Sequence, residues 1–210
     1  VSAASVYLIR HAETIWNAER RMQGRLDAPL SERGVQQLAP LVDSIRSVPL
    51  TAVYASPLGR ALRTAQAVAE SRGFSVEVVE AFSEIHQGDW ESSLLDDIEA
   101  RDGALLRAWW ERPEAVRMPN GESLQDVQAR TVSALLEIVT RHAGEQVAVV
   151  AHGGVNKTLL LWALGAPLAS YWRIRQHNAC VNRVEVDAGR ARVLSLNDTA
   201  HLGEGAWLLS

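Results

Sequence analysis

Thiols are almost missing from this chain: Cys180 is the only cysteine among 210 residues. An internal disulfide is excluded, and a cysteine-based zinc site lacks its partners. We read Cys180 as a small buried strand residue. No HExxH pair, acidic calcium loop or cysteine pair occurs, so we expect neither a metal nor another cofactor. Long apolar runs are missing too. None approaches the roughly 18 to 20 residues of a membrane span, and the N-terminus lacks a basic segment followed by an apolar stretch. We therefore expect a cytoplasmic protein with no membrane partner. The formal net charge of −4 leaves no excess of basic residues for general nucleic-acid binding, which needs a basic face. An anionic small molecule is still allowed, because salt screens surface charge beyond about 8 Å and a few converging arginines decide what a pocket sees. Internal repeats and low-complexity tracts are absent, and no linker divides the chain.

What remains is ordinary globular material, 47% hydrophobic and 22% charged, read as one domain over 1–210. Val6 to Ile9 and Leu50 to Ala55 each read as a buried strand followed by a polar turn and a helical pattern. After the second strand, Ser56 is a candidate cap with Pro57 at the first helical position, and Leu58, Leu62, Ala65, Val68 and Ala69 form the apolar stripe. A helix from Ser31 carries Val35, Leu38, Leu41, Val42 and Ile45, with a kink or early break expected at Pro40. Ser75 to Val79 and Gln146 to Ala151 read as further strands, and Val181 to Val186 with Ala191 to Leu196 as a closing hairpin across 187–190. Between about 92 and 121 the pattern turns irregular and reads as a small helical insertion over one sheet end, before a long helix from Ser123. The expected architecture is a three-layer α/β/α sandwich with a mostly parallel sheet.

Two phrases, Leu8-Ile9-Arg10-His11-Ala12 and Val149-Val150-Ala151-His152-Gly153-Gly154, place a histidine where an apolar strand stops. Ligands of open α/β sheets bind beyond those strand ends, near helix N-termini whose free N–H groups suit anions. Arg10 stands beside one histidine, and Arg60 falls in the first turn of a helix. Two guanidinium forks offset much of a phosphomonoester's charge of about −1.5 to −2 without a metal. A neutral imidazole can carry a phosphoryl group, and His11 is the candidate nucleophile. Glu84, in a loop after the third strand, is the candidate acid for the leaving oxygen.

These residues belong to blocks that follow one another along nearly the whole chain. They are Arg10-His11-Ala12-Glu13-Thr14 with Trp16-Asn17, Gly24-Arg25-Leu26-Asp27-Ala28-Pro29-Leu30 with Gly34, Ser56-Pro57-Leu58-Gly59-Arg60-Ala61 with Thr64-Ala65, Glu84 with Gly88 and Trp90-Glu91, Gly121-Glu122-Ser123, and His152-Gly153-Gly154. In that order they resemble the histidine phosphatase superfamily, in its phosphoglycerate mutase-like branch. The resemblance implies a phosphohistidine on His11, with Arg10, Arg60 and His152 on the phosphoryl group and Glu84 as acid and then base. Asn17, Gln23, Gly24 and Gly153 enter as substrate-binding residues on the resemblance alone. One departure is Ala12, where the family usually has glycine; it narrows backbone freedom there.

Mutases of the resembled family usually carry a longer insertion after the acid, whereas 37 positions separate Glu84 from Gly121 here. The acid block also reads Gly-Asp-Trp-Glu, as in the phosphatases. The expected activity is hydrolysis of a small phosphorylated metabolite. The stretch from Leu196 to Glu204 resembles the tail of metal-independent phosphoserine phosphatases, which makes phosphoserine a candidate substrate. A cofactor-dependent phosphoglycerate mutase and a silent phosphate-binding module are the alternatives. His86 reads equally as a substrate contact or a solvated loop histidine, and His201 as a pocket residue or part of a structural tail. Trp109, Trp110, Trp172 and Trp207 are read as core or insertion packing rather than pocket lining. Asp27 and Glu13 are read as loop-orienting partners of arginines. The sequence leaves the oligomeric state open, and the resemblance allows a homodimer.

Overall fold

The structure, a computed structural model, describes residues 2–187 and 189–203. Six strands form one sheet: β1 (Ala4–Arg10), β2 (Leu50–Ala55), β3 (Val76–Val78), β4 (Gln146–Ala151), β5 (Val181–Asp187) and β6 (Arg190–Asp198). Their spatial order is β3-β2-β4-β1-β5-β6. The first four run parallel, and β5 and β6 close the sheet antiparallel. β1 and β4 are apolar along nearly their whole length because both their faces are covered.

Alternation along the strands sorts side chains into two cores. Val6, Leu8, Tyr54, Val147 and Val149 face α4 (Leu95–Glu111), α5 (Leu124–Arg141) and α6 (Gly153–Ala163). Ile9, Val53, Ala55, Ala148 and Val150 face α2 (Glu32–Ser44) and α3 (Gly59–Glu70). Helices on both faces make the three-layer α/β/α sandwich. The connection leaving β1 crosses one face and that leaving β4 crosses the other, so the switch point lies between these two neighbours, where a ligand crevice opens in such sheets. Among the described residues, no helix is long and apolar enough to cross a membrane.

Several local expectations are corrected. α2 runs through Pro40 without a break; Leu38 and Leu41 bury its inner face, while Val35 is exposed and Gly34 takes a buried place. α3 starts at Gly59 with Leu58 as its cap residue, two positions beyond Pro57; Ser56 Oγ accepts the Leu58 N–H at 3.3 Å just before the helix begins. The segment of irregular pattern read as a small helical insertion is indeed helical, most of it the 17-residue α4. Asp102 interrupts its helical geometry at φ −126°, ψ 29°, and its carboxylate accepts bonds from Trp90 Nε1 and Arg101 Nε, both at 2.9 Å. That interruption breaks the apolar period that would have marked a helix. α5 begins on Ser123, whose hydroxyl and Asp126 form a reciprocal capping box. Cys180 is buried but precedes β5 rather than lying in it, and its carbonyl accepts the Arg10 N–H at 3.1 Å. The third strand is trimmed to three residues, and β6 extends to Asp198. Ala188 in the hairpin connection, Glu204 of the tail and Trp207 lie outside the described residues.

Candidate active site

Parallel pairing of β1 with β4 sets Arg10 opposite Ala151. His11 and His152, the next residue of each strand, are therefore neighbours, and the His11 N–H donates to Ala151 O at 3.0 Å. Their rings stand 5.2 Å apart between centroids. β2 ends beside them, and Ser56 Oγ lies 2.7 Å from His152 Nε2. His152 Nδ1 is buried with no partner among the described residues.

His11 Nδ1 lies 2.7 Å from the carbonyl of Ala12. A carbonyl only accepts, so Nδ1 carries the proton and Nε2 keeps its lone pair. Burial, followed by the charges of Arg60 and Arg10, pushes His11 well below the ordinary imidazole range. His152 is pushed down by burial and then by Arg60, His11 and Arg10. Both rings are neutral at neutral pH. Ala12 is fully buried, its N–H donates to Thr64 Oγ1 at 3.0 Å, and its φ is not positive. The methyl group in place of the expected glycine therefore costs no left-handed strain.

Arg60 is buried and Arg10 half-buried, and both are anchored through their outer nitrogens. Arg60 donates from Nη2 to Gly24 O at 2.7 Å and from Nη1 to Leu26 O at 2.8 Å and Asp27 Oδ1 at 3.1 Å. Arg10 donates from Nη1 to Gln176 O. The Nε of each guanidinium is buried and unpartnered. Burial lowers the pKa of each, yet an arginine stays charged. These cations, His11, Glu84 and Gly153 line one cleft of about 340 Å³ at the strand ends, ample for a small ester. Gly24 makes the turn at φ +55°, where a Cβ would also stand 2.2 Å from Glu91 Oε1.

Glu84 reaches the cleft from the loop that follows β3. Its carboxylate accepts the N–H of Ile85 at 2.9 Å and of Gly154 at 3.1 Å. The loop that carries it is gripped by Arg130 of α5, which donates to the carbonyls of Ala81, Ser83 and Glu84. The same guanidinium meets both oxygens of Glu122 at 2.9 Å. Burial works upward on Glu122, but bonds from Arg130 and His86 N–H and the charges of Arg130 and Arg25 leave its pKa lowered.

Of the other residues singled out, Asn17, Gln23, Gly24 and Gly153 line the cleft. The Asn17 amide oxygen is held by Thr14 and Asn178, which leaves its NH₂ to offer. Gln23 is buried with an unpartnered Oε1. His86 and His201 do not line it. His86 points to Glu91 at 3.9 Å with much of its ring exposed. His201 bonds the Ala179 carbonyl at 3.1 Å, on the far side of the loop before β5, which fits the tail reading. The tryptophan reading is corrected as well. Trp109 is buried in the core, but Trp109, Trp110 and Trp172 also form a wall of the cleft. Lys157 and Tyr171 complete that wall. The sequence reading passed over both, although Lys157 stands four residues after Gly153, on the same helix face.

The histidine phosphatase superfamily (branch 1) pattern matches residues 6–199. Phosphoserine phosphatase 1 of Hydrogenobacter thermophilus is 35% identical over 197 residues, 94% of this chain and 93% of that protein. The probable phosphoglycerate mutase GpmB of Erwinia tasmaniensis is 35% identical over 180 residues, 86% of this chain and 84% of its own length. Among solved structures, Bacillus stearothermophilus YhfR superposes with a TM-score of 0.91 at 40% identity, over 95% of this chain and 100% of that one.

Proposed function

This chain belongs to branch 1 of the histidine phosphatase superfamily, and from that membership we propose how its own residues hydrolyse a small phosphomonoester through a phosphohistidine. The phosphoryl oxygens sit between Arg10 and Arg60, whose free Nε–H groups provide charge-assisted bonds. The N–H of Gly153 at the start of α6 and the amides of Asn17 and Gln23 complete the cradle. His11 Nε2 attacks phosphorus in line. The phosphorus–oxygen bond to the leaving group breaks, its electron pair goes to that oxygen, and the Glu84 carboxyl supplies the proton. The ring becomes cationic while phosphorylated, and the Ala12 carbonyl at Nδ1 stabilises that charge. In the second step the Glu84 carboxylate takes a proton from water as the water oxygen attacks phosphorus. The phosphorus–nitrogen bond breaks, its electrons return to Nε2, and inorganic phosphate leaves. Splitting one displacement into two lowers each barrier.

The observation that carries this reading is the tautomer of His11, with Nδ1 spent on Ala12 O and a free Nε2 in a cleft shared with two arginines. Phosphoserine is our first candidate substrate, supported by the relative bearing that name. A mutase reading is supported by the name of another relative; water is preferred as acceptor because only a short segment separates Glu84 from Gly121. Rapid acid- and alkali-quench of enzyme mixed with phosphorus-labelled phosphoserine tests the mechanism. An alkali-stable, acid-labile label that His11→Ala abolishes is expected. Label persisting in that variant would overturn His11 as nucleophile. With 3-phosphoglycerate and its bisphosphate, phosphate release should exceed isomer formation.

A further inference from the structure

Lys157 is the only lysine in the sequence; all 20 other basic side chains of the Lys and Arg class are arginine. It projects from α6 one turn beyond Gly153 into the wall of the cleft. Its Nζ lies 4.6 Å from the Tyr171 ring centroid and 4.2 Å from that of Trp172. Those two rings stand edge to face at 4.8 Å and 86°. Trp172 is fixed in turn, donating from Nε1 to Trp109 O at 2.7 Å and packing on Trp110 at 4.3 Å. The ammonium group is thus held in an aromatic corner, half-buried, and no carboxylate among the described residues forms an ion pair with it.

We propose that Lys157, seated on Tyr171 and Trp172, selects phosphomonoesters whose leaving alcohol carries a carboxylate. This rests on the phosphatase reading above and deepens it. Ring faces stabilise a cation but leave its N–H donors free, and a partly desolvated ammonium group gains most from an anion placed beside it. Gly153 and Lys157 stand one turn apart on α6, about 6 Å along its axis, and both line the cleft, so one small substrate can meet both. Lysine differs here from arginine in a functional way, because burial lowers its amine and can bring it to titrate near neutrality. Burial and then Arg10 of β1 lower Lys157 to about 7, against the opposing charge of Glu84 from the loop after β3. The phenol of Tyr171, raised well above its ordinary range by burial, stays neutral beside it. The cation needed to hold a carboxylate is therefore present below neutrality and fades above it.

The test compares 3-phosphoglycerate with glycerol 3-phosphate, which differ only by a carboxylate in place of a hydroxymethyl group. Their common phosphoryl chemistry cancels in the ratio of kcat/KM. Wild type should favour the acid by tenfold or more at pH 6, and that preference should decline as pH passes about 7. Lys157→Gln should bring the ratio close to one at every pH, chiefly through KM for the acid. Lys157→Arg should retain a preference that no longer declines near neutrality. A wild-type ratio near one at pH 6, or a preference that Lys157→Gln leaves within twofold, overturns the proposal. The wild-type pH series stands even if a variant fails to fold. Hydrolysis of neither ester, nor of phosphoserine or nitrophenyl phosphate, would count against the phosphatase reading itself.

Discussion

Arg130 Nη2 lies 3.2 Å from the carbonyl oxygen of Glu84, so a helix buried against the sheet sets the height of the loop that carries Glu84. Its other contacts, to the Ala81 and Ser83 carbonyls and the Glu122 carboxylate, leave that guanidinium one geometry. Arg130→Met strands three carbonyls and leaves the half-buried Glu122 carboxylate with only the exposed Arg25 and the His86 N–H as partners. Breaking one side of such a pair costs about 3 kcal/mol. Urea unfolding should show that loss, and kcat should fall by about tenfold as Glu84 shifts. Adding Glu122→Gln removes the half-buried charge that has lost its main partner, so the double variant should recover part of the stability and little of the activity.

Gly154 meets Glu84 so closely that a Cβ there would stand 2.5 Å from Oε1 and 2.6 Å from Ile85 Cδ1. Gly154→Ala must push the carboxylate or α6 aside, lengthening the 3.1 Å bond from the Gly154 N–H. Helix propensity favours alanine by about 1 kcal/mol, so thermal stability should change little. Turnover should instead drop about 10- to 100-fold. Kinetics and a melting curve on the same sample separate the two effects. An active Gly154→Ala would mean that the contact does not position Glu84.

Much of this arrangement was open to reading before any coordinates. β2 and β4 occupy the residues assigned to them because each is an apolar run bounded by turn residues. Parallel register then carries Arg10, His11 and His152 together, since neighbouring strands end at one level. Lys157 and Arg130 stayed hidden for a physical reason. A single charged residue on a helix ordinarily marks the solvated face, and nothing in the periodicity shows that a second element covers it. α4 was obscured by Asp102, whose bond to Trp90 takes the place of helical regularity. His86 and His201 share the residue type of the cleft histidines but sit on a loop and in a single 3-10 turn, away from the strand ends whose direction fixes where a ring lands.

His11 and His152 also make stability depend on pH. Both are held neutral by burial and neighbouring guanidinium groups, below the ordinary value of 6.5. The unfolded chain takes up protons there before the folded one does. Stability is therefore fully present above about 6.5 and is lost as pH falls toward the folded values, by up to about 1.4 kcal/mol per pH unit for each ring. Denaturant titrations at pH 7.5, 6.5 and 5.5 should show the decline. His11→Asn should reduce its slope, and an unchanged slope would assign the effect to other groups.

The role given to Glu84 has its own kinetic mark. Nitrophenolate leaves readily without a proton, whereas an alkoxide such as that of serine does not, so general-acid assistance matters chiefly for the second. The Ile85 and Gly154 N–H groups bond different oxygens of the carboxylate, and Glu84→Gln keeps an acceptor for one of them while its NH₂ faces the other. It removes the transferable proton at the cost of one of those two bonds, a loss that bears equally on both esters. Phosphoserine hydrolysis should fall by about 10²- to 10⁴-fold, while phosphoenzyme formation from nitrophenyl phosphate should fall far less. Breakdown of that phosphoenzyme should then be slow for both esters, because water also loses its base, and the labelled intermediate should accumulate from nitrophenyl phosphate alone. Equal loss of phosphoenzyme formation from the two esters would remove Glu84 as the acid, and the proton would have to come from elsewhere in the cleft.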